Sequence, residues 1–251
     1  TRIRIGALVS PVTFRLPGPF AKLVATVDEM SGGRVEVGMG AGWNDQEHAQ
    51  LGIPFPELGE RFTMLEESVA IVHGLWTEPD GWRYDGTHWQ VRDALFRTKP
   101  ERNGRRHPPI ILGGSGGPRL AKLAARFADE LNLTSASPAK AAEAYARVDA
   151  ACAAIGRDPA EITRSAMTGV LIAETRGELT DRIRTQLELT GADADAEAWL
   201  AQRKDRWIMG TVDEAGERLR TFAAAGVERV MLQDFIPRDL DMIRLMGRLA
   251  G

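Results

Sequence analysis

Most of the residues able to do chemistry in this sequence lie in two glycine-rich turns. The first, Gly38-Met39-Gly40-Ala41-Gly42-Trp43-Asn44, follows the strand-like run Val35-Glu36-Val37. The second, Gly113-Gly114-Ser115-Gly116-Gly117, follows Pro109 to Leu112 and precedes a helical pattern from Pro118. Glycine lets a backbone approach a flat or phosphorylated ligand closely, because no Cβ stands in the way. A helix behind the second turn aims its N–H groups and positive dipole end at whatever fills the turn. The implied chemistry is backbone capture of a phosphate-bearing cofactor at strand ends. Either turn alone also reads as a tight connection. Two of them in a βα repeat point to a cofactor site.

The remaining reactive side chains form no familiar constellation. His48, His73, His88 and His107 are scattered, and no pair has metal-ligand spacing, so no metal site is expected. His48 lies beside the first turn and is the only histidine placed to act as an acid or base. Cys152, the single cysteine, sits in an alanine-rich stretch and reads as a packed residue. Glu66-Glu67 reads as a helix face rather than a catalytic pair. Arg119, in the first turn of its helix, either adds charge to the second glycine turn or forms a surface salt bridge.

The elements that must position these residues alternate. Strands are expected at Ile3–Val9, Val35–Met39, Ile110–Leu112, Glu130–Leu133, Thr163–Ala173 and Val227–Leu232. Helices are expected at Pro17–Met30, Gly59–Trp76, Pro118–Ala128, Pro138–Ile155, Leu179–Leu189, Ala194–Arg206, Thr211–Ala225 and Leu240–Leu249. Trp82 to Val91 reads as a hairpin around Asp85-Gly86. Such βα alternation argues for a parallel sheet, and a closed eightfold barrel would need two more units. The chain is read as one domain, 1–251, with insertions near 77–108 and 175–206.

The chain has 251 residues, a formal charge of -3 and 27% charged residues. It carries no basic stripe with interleaved aromatics, so no nucleic-acid partner is expected. No apolar run nears the roughly 20 residues that span a bilayer, so no membrane role is expected. No signal peptide is visible, and one cysteine fits a reducing compartment; a cytoplasmic location follows as an expectation. The sequence begins at Thr1, so the original start is expected to be absent.

One family fits these motifs. Gly32-Gly33-Arg34-Val35-Glu36-Val37-Gly38-Met39-Gly40-Ala41-Gly42-Trp43-Asn44, then Glu47, Gly52-Ile53-Pro54-Phe55-Pro56, Gly59-Glu60-Arg61-Phe62 and Leu75-Trp76 resemble the luciferase-like monooxygenase superfamily. The match is to its branch of coenzyme F420-dependent oxidoreductases. Pro108 to Gly114, Ala124 to Asn132 and Gly226 to Leu232 resemble it too. The resemblance implies a (β/α)8 TIM barrel, here apparently lacking its first two βα units, and a homodimer. The helix Gly59–Trp76 is expected to contribute to the interface, although its apolar stripe is equally needed by the barrel. It also implies hydride transfer between F420 and a small organic substrate. The alternatives are an FMN-dependent monooxygenase of the same superfamily and a non-catalytic cofactor-binding protein. By resemblance, Ala7, Leu8, Val9 and Ser10 back the ring at a strand bulge that is often a non-proline cis peptide. Ala41, Gly42, Trp43 and Asn44 line its edge, and Gly113, Gly114, Ser115 and Gly116 hold the phosphate.

Overall fold

The computed structural model describes residues 2–101, 104–193 and 195–249. The chain gathers into two compact units, Thr1–Leu131 with Val148–Ile162 and Asn132–Arg147 with Thr163–Gly251.

The first unit contains β1 (Ser10–Pro11), α1 (Pro17–Ser31), β2 (Val37–Gly40), α2 (Asp45–Leu51) and α3 (Leu58–Thr77). There follow a hairpin of β3 (Trp82–Asp85) and β4 (Gln90–Ala94), then β5 (Ile110–Gly114) and α4 (Pro118–Phe127). β1 runs parallel to β2 through Ser10↔Met39 and Pro11↔Gly40. β2 runs parallel to β5 through Val37↔Ile110, Gly38↔Ile111 and Met39↔Leu112. Parallel pairing brings the C-terminal ends of all three strands to one edge.

The helices of this unit follow from local signals. Pro17 opens α1, and its fixed φ suits the first turn. Gly32, at φ 72°, closes it in the left-handed conformation that glycine adopts without steric cost. The buried Asp28 then accepts from the Val35 amide at 3.2 Å, which sets the entry into β2. α3 buries Leu65, Val69, Val72 and Trp76 on one stripe, and the Trp76 indole donates to the Ala21 carbonyl of α1 at 3.2 Å. Each such side chain contributes about 1.5–3 kcal/mol by leaving water. The apolar stripe of α3 is therefore used inside the unit.

Two local expectations are corrected here. Ile3–Val9 is not a buried strand: residues 2–8 are exposed and pair only through a single parallel bridge, Ile5↔Val35, so regular pairing begins at Ser10. The hairpin turns over four residues rather than at Asp85-Gly86, because Asp85 pairs with Gln90. The cause is Glu67 of α3. Its buried carboxylate accepts from the amides of Thr87, His88 and Trp89 at 2.7, 2.9 and 3.0 Å, and fills the space where a Cβ on Gly86 would stand.

β6 (Glu130–Thr134) and α5 (Pro138–Ile155) carry the chain across the division between the units. The second unit is built on β7 (Thr163–Ala173), followed by α6 (Arg176–Thr190) and α7 (Ala196–Arg203). Next come β8 (Ile208–Thr211), α8 (Val212–Ala224), β9 (Arg229–Asp234) and α9 (Leu240–Leu249). β7 is long enough to serve two parallel partners: Ser165 to Val170 pair with β9, and Val170 to Ala173 pair with β8. β8 lies in a stretch expected to connect two helices; four residues carry too short an alternation to read. Both α6 and α7 are capped, with Thr175 and Asp195 accepting from first-turn amides, and the expected helix start at Ala194 lies outside the described residues. Thr211 and Glu214 complete a capping box on α8. Among the described residues, no helix is long and apolar enough to cross a membrane.

Candidate cofactor site

Two of the segments named from the sequence, 40–44 and 113–117, run off the C-terminal edge of β2 and β5, and residues 7–10, which lead into β1, lie beside them. Ligands of parallel α/β sheets bind beyond the carboxyl ends of the strands. At the centre of this edge stands Val9. An ideal Cβ on Gly40 would approach Val9 Cγ2 to 2.6 Å, and one on Gly38 or Gly113 would approach Val9 Cγ1 to 2.8 Å. Val9 thus occupies the space of the missing side chains of Gly40 and Gly113, and at Gly38 the Ala7 carbonyl oxygen stands closer still. The Leu8–Val9 peptide is cis. Ala7 and Leu8 are exposed, and Ser10 is half-buried. Ala7 and Ser10 also line a groove of about 190 Å³ with Leu23, Val24 and Val27 of α1.

Past the end of β2 the glycines change role. Gly42 has φ +81°, a conformation that side chains disfavour, and a Cβ added there would stand 3.5 Å from the His48 ring and from Pro11. Asn44 caps α2, its side-chain oxygen accepting from the Glu47 amide at 3.1 Å. Trp43 is 84% exposed beside it, so it is not a packing residue within the unit.

His48 is buried, with Phe14 and Phe55 rings 4.9 and 4.5 Å away. Its Nδ1 lies 2.5 Å from the Asn44 carbonyl oxygen. A carbonyl can only accept, so Nδ1 carries the proton. In the neutral ring, Nε2 then accepts from the Thr13 hydroxyl at 2.7 Å. Both ring nitrogens hold the loop in place. Thr13 had no signal in the sequence: it lies 35 residues from His48.

At the end of β5, Gly114 faces Leu120, whose Cδ2 would lie 2.9 Å from an added Cβ. Gly116 has φ +72°, Ser115 is exposed, and a Cβ on Gly117 would meet nothing within 4 Å. Gly117 is the N-cap of α4, and no side chain caps that end. Pro118 at the first position has no N–H, so the first-turn donors that remain are backbone amides such as those of Arg119 and Leu120. Backbone donors at a helix N-terminus with room beside them form the kind of cradle in which anions bind. Arg119 itself is engaged elsewhere. Its guanidinium donates to Glu66 at 2.6 and 3.0 Å, and that hydrogen bond raises its pKa.

His73 has its pKa lowered to about 4, first by burial and then by His107, Arg106 and Arg157. Among the described residues, no cluster of side chains is arranged to hold a metal ion.

Comparison with known proteins places this geometry in context. The profile of the luciferase-like monooxygenase family matches residues 1–229. The F420-dependent glucose-6-phosphate dehydrogenase of Microbacterium testaceum is 38% identical over 135 residues, which is 53% of this chain and 38% of that protein. The FMNH(2)-dependent dimethylsulfone monooxygenase of Pseudomonas putida is 29% identical over 247 residues, covering 86% of this chain and 66% of that protein. The match to the dehydrogenase thus spans about two fifths of that curated relative. A solved F420-dependent secondary alcohol dehydrogenase, in complex with an F420-acetone adduct, superposes with a TM-score of 0.81 at 20% identity. That superposition covers 98% of this chain and 78% of the other. The coenzyme F420-dependent tetrahydromethanopterin reductase of Methanopyrus kandleri gives 0.75 at 21% identity, over 98% and 82%. At such identities the likeness is one of fold: an α/β chain of mainly parallel strands, as in barrels of this type.

Proposed function

The chain belongs to the luciferase-like monooxygenase family, and from that premise we propose that it is an oxidoreductase that moves a hydride between coenzyme F420 and a small organic substrate. The observation that carries the reading is that Val9, in the segment leading into β1, packs against Gly40 and Gly113 where residues 40–44 and 113–117 leave their strands, beside a helix N-terminus with no side-chain cap. The residues fit a flat, phosphate-bearing group: Gly117 leaves open space at the anion cradle, and exposed Ala7 and Leu8 offer apolar surface. F420, when bound, supplies the hydride chemistry, and the protein supplies binding and orientation.

In this reading Gly113 to Gly117 and the first turn of α4 hold phosphate through backbone N–H groups. Ala7 to Ser10 back the ring, and the Ala41-Gly42 turn approaches its edge. Trp43 shields the site from water. His48 acts as a positioning residue: with Thr13 and Asn44 it holds the Gly42 turn. Homodimerisation belongs to the same proposal and is checked by light scattering.

FMN is the second reading, favoured by the dimethylsulfone monooxygenase match over 86% of the chain. Equilibrium titration with each cofactor separates the two. Saturable F420 binding, and turnover that consumes no oxygen, support the proposal. Tight FMN binding without F420 binding, with oxygen uptake coupled to turnover, replaces it with the monooxygenase.

A further inference from the structure

The second unit carries a cavity of about 440 Å³ lined by Gln186, Thr190, Trp199, Arg203, Trp207 and Phe235. Its walls are aromatic. Trp207 stacks on Phe235 with centroids 5.1 Å apart and planes 12° apart, and Trp199 meets Trp207 edge-on at 5.4 Å. The Trp207 indole lies against Gly169 of β7, where an added Cβ would overlap the ring. Glycine at this strand position is what lets the indole lie flat against β7.

Two polar groups in this wall lack a complement. The Arg203 guanidinium lies 4.1 Å over the Trp199 ring and 5.6 Å from that of Trp207, and donates one hydrogen bond, to the Trp199 carbonyl at 3.1 Å. No carboxylate neutralises it among the described residues; burial, then Arg206, lowers its pKa. Gln186, on α6, is 4% exposed, and its Oε1 has no hydrogen-bond partner. A buried acceptor left unpaired is costly, and a donor supplied by a ligand relieves that cost. Aromatic walls, a cation without a counter-ion and an acceptor without a donor define complementary chemistry.

We propose that this pocket binds a small organic acid with a flat apolar body, its carboxylate at Arg203 and a hydroxyl or N–H group at Gln186 Oε1. The rings supply stacking area and Arg203 supplies charge recognition, the usual division of labour in a small-molecule pocket. The proposal stands whether or not the F420 reading holds, since the binding needs no cofactor.

The test uses the full chain without cofactor and 4-hydroxyphenylacetate as probe, followed by calorimetry and tryptophan fluorescence. The proposal expects saturable binding. It expects affinity at least about tenfold lower for the neutral 4-hydroxyphenylacetamide, and a comparable loss for the acid in Arg203→Gln, with Arg203→Lys keeping part of it. Gln186→Leu should weaken the hydroxylated acid several-fold while leaving phenylacetate unchanged. Absence of saturable binding, equal affinity for acid and amide, or undiminished binding by a folded Arg203→Gln overturns it. Should Arg203→Gln fail to fold, the acid–amide comparison on the unaltered chain still decides.

Discussion

The glycines inside β2 and β5 and those just beyond the strand ends look alike in the sequence and do different work. Gly38, Gly40 and Gly113 are packed: Gly40 and Gly113 give up the space that Val9 fills, and Gly38 the space taken by the Ala7 carbonyl oxygen and Val9. Gly42 is conformational, held at φ +81° between Pro11 and the His48 ring. Gly117 is neither, with ordinary φ and open space around it. A glycine-rich motif is thus a mixture of core and site, and only the residues past the strand end are available to a ligand. Val9 explains the glycines at 40 and 113, whereas the Ala7 carbonyl oxygen at Gly38 and Leu120 at Gly114 account for the other two within the strands.

The sharpest way to break this comparison is to fill the packed class. Gly113→Val should destabilise the protein by about 2–3 kcal/mol through overpacking against Val9. Val9→Ala in the same chain should recover a good part of that loss. A urea-denaturation double-mutant cycle reads the coupling, and strict additivity would remove Val9 as the cause. Gly42→Ala should cost about 1–2 kcal/mol, because its left-handed backbone penalises any Cβ. Here Val9→Ala should give no recovery, and a rescue would place Gly42 in the packed class.

Acid titration provides a marker that should be indifferent to both classes. His73 has a folded pKa of about 4 against an ordinary 6.5. Its lowered pKa means the unfolded chain binds the proton more readily. The stability it contributes is therefore complete above pH 6.5 and is lost as pH falls towards 4. Because the ring is only half-buried, solvent screening reduces the effect to roughly 1 kcal/mol. Thermal unfolding of His73→Leu across that window should show a flatter acid limb, whereas Gly42→Ala should keep the original slope.

The smallest stability effect is expected at Gly117→Ala, within about 0.5 kcal/mol, since the methyl meets nothing. Its effect should appear in cofactor affinity instead, as a several-fold weakening read by titration. Unchanged affinity in this variant would show that phosphate does not approach Gly117.

Much of the fold was legible. α5 and α9 match their expected bounds because their apolar periodicity runs between clear signals. α8 begins at Val212 behind its N-cap Thr211, next to the expected start, because a Thr before a helical pattern is a signal readable in one dimension. β8 was missed, since four residues give too short a pattern, and the Ile3–Val9 strand was overextended, since apolar alternation says nothing about partners. Glu67 looked like a solvated helix face. Its three amide donors lie 20 to 22 residues away in the hairpin, a distance no local pattern spans.

By itself the sequence determined the order of strands and helices, the two glycine motifs and the family likeness, because these depend on periodicity, backbone preference and short-range spacing. The tertiary structure alone decided what each polar or small residue does. Arg119 and Glu66 meet across 53 residues, His48 and Thr13 across 35, and Val9 enters the glycines of two different strands. The physical reason is that packing and hydrogen bonding are short-ranged in space and indifferent to separation along the chain. A residue's partner, and with it its role, exists only once the chain has folded.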